Sequence, residues 1–437
     1  MTEQGQKFQQ GSVREVLHLS WPIVVSMLSY TAMGVTDTLF VGWIGKSELG
    51  AVGLATIAIF LVNAFFLGVL NGVKVVSAQA TGADRPGRAR RSGWQGVLLS
   101  IPFGMAVIAL GALADPIFEL LGGTAGVRDF ASEYFRVRVY CAPFWYITMA
   151  LCNALQGRGD TRTPMIVNLV VNGLNIVLDA LLIFGLGPFP EMGVAGAALA
   201  SVIACAVGMI LILVLYIGRN GIDLSPEREL IAPILRLGLP IGVRFFLDVA
   251  SWTLFTAFLS WMGEDELAAN QIAINIIKLS FLPGYAISEA ACILTGRYKG
   301  ARDRVLVRRS FSAALKVAVG VMATFGFLFW ITPDLFLKCF QSDPAVLGIG
   351  RQLLFVAAFF QIFDAVAMVA VGALNGVGDT RYTMFASIFA SWIVLVPLTY
   401  VLGVVAGLGA LGAWLALTVE IMVLAVILTR RFRGDRW

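Results

Sequence analysis

The phrase Gly157-Arg-Gly-Asp-Thr-Arg162 returns as Gly376-Val-Gly-Asp-Thr-Arg381, 219 residues later. The chain around it is 58% apolar and only 14% charged, with mean hydropathy +0.84. Soluble domains carry about 25% charged residues. Apolar runs of roughly 20 residues follow one another with short gaps, the pattern of membrane-crossing helices. A repeat of this period in such a chain predicts two similar helical bundles facing each other across a cleft, an architecture that moves solutes.

The pattern predicts an all-α polytopic membrane protein with twelve transmembrane helices. The approximate spans are 16–42, 50–76, 94–118, 133–156, 163–186, 194–218, 234–261, 267–295, 308–332, 351–375, 382–404 and 408–431. The polar stretch Gly218–Glu229 divides an N-terminal lobe (1–222) from a C-terminal lobe (223–437). Further matches support the repeat at an offset of 218: Pro22 with Pro240, Glu48 with Glu266, and Arg90-Arg91-Ser92 with Arg308-Arg309-Ser310. Six spans per half is an even number, so the halves should be related by a pseudo-two-fold axis along the membrane normal. The polar start Met1–Gln10 and the long first run do not read as a cleavable signal peptide.

Basic residues mark the cytoplasmic side. Arg85, Arg88, Arg90 and Arg91 follow span two, Arg297, Lys299, Arg302, Arg304, Arg308 and Arg309 follow span eight, and Arg430, Arg431, Arg433 and Arg436 close the chain. Both termini should therefore be cytoplasmic. The net charge of +5 lies in these flanking loops, so the expected surroundings are a lipid bilayer and not nucleic acid. The five cysteines lack metal spacing; four read as small apolar residues and Cys339 as a helix-end residue. One histidine, with no Cys–His set or serine-centred motif at a membrane edge, argues against an enzyme and against a bound cofactor.

Ionisable residues inside the bilayer cost roughly 2.5–3.5 kcal/mol each on insertion scales and usually face a cavity or partner. Asp37 in span one and Asp179 in span five both lie about 12 Å short of their outer helix ends. Asn175 is one turn before Asp179 on the same face. Two carboxylates and an amide at one depth suit Na⁺ through oxygen ligands, and suit equally a shared proton. In the second half Asp248 and Asp364 lie near mid-membrane. Arg244, one turn from Asp248, and Lys278, at similar depth, are candidate counter-charges. Lys74 and Glu289, near the cytoplasmic ends of spans two and eight, read either as snorkelling interface residues or as a charge pair closing the cleft. Phe65, Tyr146 and Phe360 are aromatic candidates for contact with an apolar ligand, and Pro283-Gly284 is the expected kink of span eight.

Several segments carry a resemblance: Pro22, Asp37-Thr-Leu-Phe-Val-Gly42, Gly82-Ala83, the two Gly-x-Gly-Asp-Thr-Arg phrases, Asn175-Ile-Val-Leu-Asp179 and Gly193-Val-Ala-Gly-Ala-Ala198. In order and spacing the chain resembles the multidrug and toxic compound extrusion (MATE) transporters over essentially its whole length. The resemblance implies an outward-facing V of two six-helix lobes, working as a monomer in a bacterial inner membrane and exporting small organic molecules by alternating access. Inward H⁺ or Na⁺ would drive the cycle. It also implies that Asp37, Asn175 and Asp179 form the N-lobe cation site, and that Asp248 and Asp364 match the C-lobe acidic positions of the NorM-type branch, where Glu is usual at the first. Arg244, Lys278, the run Ser288–Lys299, and Arg297 where the first half has Gln79 depart from the family pattern. Two alternatives remain: a major facilitator transporter, echoed by the loop Gly82-Ala-Asp-Arg-Pro-Gly-Arg88, and a lipid-linked oligosaccharide flippase of the same superfamily.

Overall fold

Backbone N–H and C=O groups in hydrocarbon must be satisfied within their own segment, so apolar runs of this length fold as helices. The computed structural model describes residues 9–122, 124–340, 343–435 and 437, and no strand occurs among them. The polar start up to residue 8 and Arg436 of the basic tail lie outside the described residues. In chain order the helices are α1 (Val13–Ile44), α2 (Lys46–Gly82), α3 (Pro86–Leu110), α4 (Ala114–Leu121), α5 (Ala125–Arg138), α6 (Cys141–Gly157), α7 (Arg162–Ile183) and α8 (Gly193–Asn220). They continue as α9 (Arg228–Met262), α10 (Glu264–Gly300), α11 (Arg304–Ile331), α12 (Pro333–Leu337), α13 (Pro344–Val377), α14 (Thr380–Ile388), α15 (Val396–Leu398) and α16 (Gly409–Arg433). The rod begun by α14 is π-helical over Phe389–Leu395 and Thr399–Val405. Helix α10 runs through Pro283 without a break, as α1 does through Pro22.

Eleven helices among the described residues are long and apolar enough to cross a membrane. The remaining apolar stretch, 133–156, is divided between α5 and α6. Pro143 has no N–H to return to the Val139 carbonyl, which instead accepts from the Ala142 amide at 3.1 Å, and the helix parts at Val139–Tyr140. Large apolar side chains such as Val177, Val214, Phe327 and Phe385 are exposed, as lipid-facing surfaces require.

The helices pack into two units. One comprises Val25–Thr81 and Arg85–Gly242; the other comprises the chain through Val24, Gly82–Asp84 and Val243–Trp437. The division of the sequence at 222/223 describes the repeat, whereas these units describe packing. Within the first unit α3 packs on α6 and α8 on both α6 and α7. Within the second, α13 packs on α10, α11 and α16.

The repeated phrase has the same structural work in both units. A β-carbon at Gly157 would lie 2.5 Å from the Lys74 carbonyl oxygen of α2, and one at Gly376 would collide with the Cys292 carbonyl of α10. Lys74 and Cys292 are 218 residues apart, the offset of the repeat. Two residues on, Gly159 and Gly378 turn the chain at φ +91° and +92°, a region that favours glycine. Asp160 then accepts from Arg219 at 2.9 Å, and Asp379 from Arg431 at 2.7 Å. These arginines close the last membrane helix of each half. The phrase thus supplies close helix contact, a turn and an anchor.

The Asp379–Arg431 pair is the less exposed of the two. Asp379→Ala is expected to lower stability by about 1–3 kcal/mol, read as thermal melting in detergent, and Arg431→Gln by a similar amount. The double change should add little to either single one; additive losses would mean that the side chains do not act as a pair.

Candidate functional site

Asp37 on α1, Asn175 and Asp179 on α7, and Ser201 on α8 converge in the first unit. The Asp37 and Asp179 carboxyl groups are close enough to interact directly. Asn175 and Asp179 are each 1% exposed inside a segment that crosses lipid. Asn175 Nδ2 donates to Ser201 Oγ at 3.5 Å. One oxygen of Asp37, both of Asp179 and the Asn175 amide oxygen are shielded from solvent with no hydrogen-bond donor among the described residues. Buried acceptors are ordinarily satisfied. Two facing carboxylates provide no donor between them, so their chemistry is that of a site for a proton or a small cation.

One charged residue of this site was missed in the sequence. Arg138, in the last turn of α5, donates to the Tyr134 hydroxyl and lies within electrostatic reach of Asp37 and Asp179. In sequence Arg138 stands at the outer end of an apolar run, where it reads as a flanking charge. The break at Val139–Tyr140 places it inside instead. The cysteine reading also needs correction: Cys141 and Cys205 form a disulfide between α6 and α8, with a Cα separation of 6.0 Å. Cys205 is one turn beyond Ser201, so the bridge ties the wall behind Asn175. Cys152 and Cys292 are buried thiols and Cys339 is exposed, as expected. Tyr146 is not a cleft aromatic; it is fully buried and its hydroxyl donates to Asn63.

The second unit contains a cavity of about 460 Å³. Arg244 and Asp248 on α9, Lys278 on α10 and Asp364 on α13 all line it. Arg244 Nη1 lies 3.6 Å from Asp248 Oδ2, the expected ion pair. Lys278 Nζ donates to Asn275 Oδ1 at 2.9 Å. Glu420 on α16 is a third carboxylate of this cavity and is 8% exposed. It went unnoticed in the sequence although it lies in the middle of an apolar run, the signal that marked Asp37. Trp252, Phe281, Tyr285, Phe360 and Trp414 supply aromatic walls. Ser387 and Ser391, the latter in the π-helical stretch, complete one side. π-Helical turns are frequently found at functional sites.

Lys74 and Glu289 each have partners in their own unit. Lys74 is buried rather than snorkelling, and its Nζ donates to Asn71 Oδ1 at 2.9 Å. Glu289 is hydrogen-bonded to Tyr285. Arg297, which replaces the glutamine of the first half, lies 3.7 Å from Glu15, whose carboxylate also accepts from the Tyr298 hydroxyl and the Gly11 amide. This departure from the repeat therefore serves to hold the start of α1.

The MatE family profile matches residues 22–181 and 240–401, two segments whose starts are again 218 residues apart. A probable multidrug resistance protein NorM of Thermotoga maritima is 30% identical over 433 residues, covering 97% of this chain and 93% of that protein. Its namesake in Burkholderia mallei is 31% identical over 431 residues, covering 96% and 92%. A solved structure described as the outward-facing conformation of a multidrug resistance MATE family transporter of the MOP superfamily has a TM-score of 0.90 at 23% identity, covering 98% of this chain and 97% of that one.

Proposed function

We propose, since the chain belongs to the multidrug and toxic compound extrusion (MatE) family of membrane transporters, that it is a cation-coupled antiporter exporting small amphipathic organic molecules by alternating access. The multidrug names of its relatives support the cargo class. The observation that carries the coupling is the pair of buried carboxyl groups, Asp37 against Asp179, whose oxygens lack donors. An ion that neutralises this pair from one side of the membrane shifts the balance between outward-open and inward-open states. Cargo that binds only when the ion has left is then exchanged against it.

The coupling ion in this reading is H⁺. A single proton is shared readily by two neighbouring carboxyl groups, whereas a bare cation needs a full shell of oxygens around it. The resident guanidinium of Arg138 already supplies a positive charge beside the pair. The proposed placement is a bacterial inner membrane with both termini cytoplasmic, supported by the basic loops, and the proposed working form is a monomer.

Everted membrane vesicles with ΔpH and ΔNa⁺ imposed separately test this. Uptake of a fluorescent organic cargo should follow ΔpH and ignore ΔNa⁺. Uptake driven by ΔNa⁺ alone would reverse the choice of ion, and uptake indifferent to both would remove cation coupling.

A further inference from the structure

Lys316 is the sole charged residue between Arg309 and Ile331 of α11, a helix long and apolar enough to cross a membrane. Charges inside such segments usually turn towards a cavity or a partner. Lys316 turns the other way. Val307, Phe311, Ala314, Ala318 and Met322 are buried and define the packed face of α11. At about 3.6 residues per turn Lys316 falls on the opposite side, and it is exposed there. Val305 and Phe327 share that face and are 75% and 57% exposed, the composition of a lipid-facing surface.

Arg309 and Ser312 lie on the same stripe and are exposed too. Ser312 is one turn nearer the basic loop than Lys316, and Arg309 is two turns nearer, about 10 Å. Side chains on a helix lean towards its N-terminus. The apolar stem of Lys316 therefore carries its ammonium back towards Ser312 and the headgroup level. Arg309 and Lys316 have no carboxylate partner among the described residues, whereas the neighbouring Arg308 is paired with Asp435. The first half lacks this stripe. At the repeat offset its residues are Arg91, Trp94 and Leu98; Trp94 is buried, and Arg91 is neutralised by Glu227. The two unpaired cations are thus not a by-product of the repeat. Gly320, one turn deeper than Lys316, is exposed, and nothing lies within 4 Å of an added β-carbon. It leaves bare backbone against which an acyl chain can lie.

We infer that the stripe Arg309, Ser312 and Lys316 on the outer face of α11 is a binding site for one anionic phospholipid, in the leaflet beside the basic loops. The lipid phosphate accepts from the Lys316 ammonium and the Ser312 hydroxyl, its net negative charge answers Arg309, and one acyl chain runs over Gly320 towards Phe327. A zwitterionic headgroup offers the same phosphate but brings its own cation to Arg309, so one charge stays unmatched. The assignment does not depend on which ion or cargo the protein carries.

Native mass spectrometry of the purified full-length protein in detergent tests this, with dioleoyl phosphatidylglycerol and dioleoyl phosphatidylcholine as the two probes. One basic side chain near a lipid surface is worth about fivefold in affinity. The one-to-one complex with phosphatidylglycerol should therefore form at roughly twentyfold lower lipid concentration than that with phosphatidylcholine. Lys316→Met and Arg309→Gln should each reduce this preference about fivefold, and Lys316→Arg should retain it. Arg302→Gln, which removes an exposed cation off the stripe, should leave it unchanged. Equal binding of the two lipids by the unaltered protein overturns the inference, whether or not any variant folds. So does a Lys316→Met protein that keeps the preference, or an Arg302→Gln protein that loses as much of it, the mark of a diffuse field around the basic loop. A protein dimer that retains no lipid and that Lys316→Met dissociates would overturn it as well, by making this face a contact between two copies of the chain.

Discussion

Asp37→Asn is expected to leave a folded protein that equilibrates cargo but cannot concentrate it. The substitution keeps the shape of the side chain and supplies an amide donor to Asp179, satisfying oxygens that are otherwise without one. It also removes the group on which ion binding depends. One elementary charge crossing 100 mV is worth about 2.3 kcal/mol, which sustains a cargo gradient of roughly fiftyfold. The accumulation ratio in everted vesicles should therefore fall from tens to about one. Asp179→Asn should do the same, and the double variant should be no worse than either, because the pair acts as a unit. Dye binding in detergent serves as the control for folding. An Asp37→Asn protein that binds dye and still accumulates it with the parent's dependence on ΔpH would separate this carboxyl from energy coupling.

The second large effect concerns the repeated phrase. Gly376→Val places a branched side chain where even a β-carbon would collide with the Cys292 carbonyl and the Thr295 hydroxyl oxygen of α10. A backbone carbonyl within a continuous helix cannot yield without losing its own hydrogen bond. The loss should exceed about 3 kcal/mol, beyond ordinary overpacking, and lower the melting temperature in detergent by roughly 3–4 °C. Gly157→Val should cost a similar amount against Lys74. Gly173→Ala is the contrast: that glycine lies on an exposed helical face with nothing within 4 Å of an added β-carbon. Alanine there should be neutral or slightly stabilising. If Gly376→Val melts like Gly173→Ala, the phrase is conserved between the halves for some purpose other than close packing.

The acid pair was legible because depth in a membrane helix can be counted from the sequence. Asp37 and Asp179 fall at one level when residues are counted from their outer helix ends, and the structure brings them together. Asp248, Arg244, Lys278 and Asp364 were found in the same way and share one cavity. Arg138 was not legible, because its position depends on a helix break, and the break depends on the amide that Pro143 lacks. Glu420 was legible and missed; an acid in the middle of an apolar run, well short of Arg430, carries the same signal as Asp37. The disulfide was not legible, since Cys141 and Cys205 stand 64 residues apart on helices whose rotation only packing defines.

By itself the sequence determined that the chain spans a membrane as helices, that it is built twice over, and how deep each charge lies. These follow from hydropathy, the repeat and a constant rise per residue, all of which are local properties of the chain. Only the tertiary structure decided which charges face each other, that Arg138 joins the acid pair, and that Glu420 completes a cavity lined by both signs. Those depend on the rotation of each helix about its own axis. That rotation is set by contacts among many small side chains and backbone groups rather than by any residue taken alone.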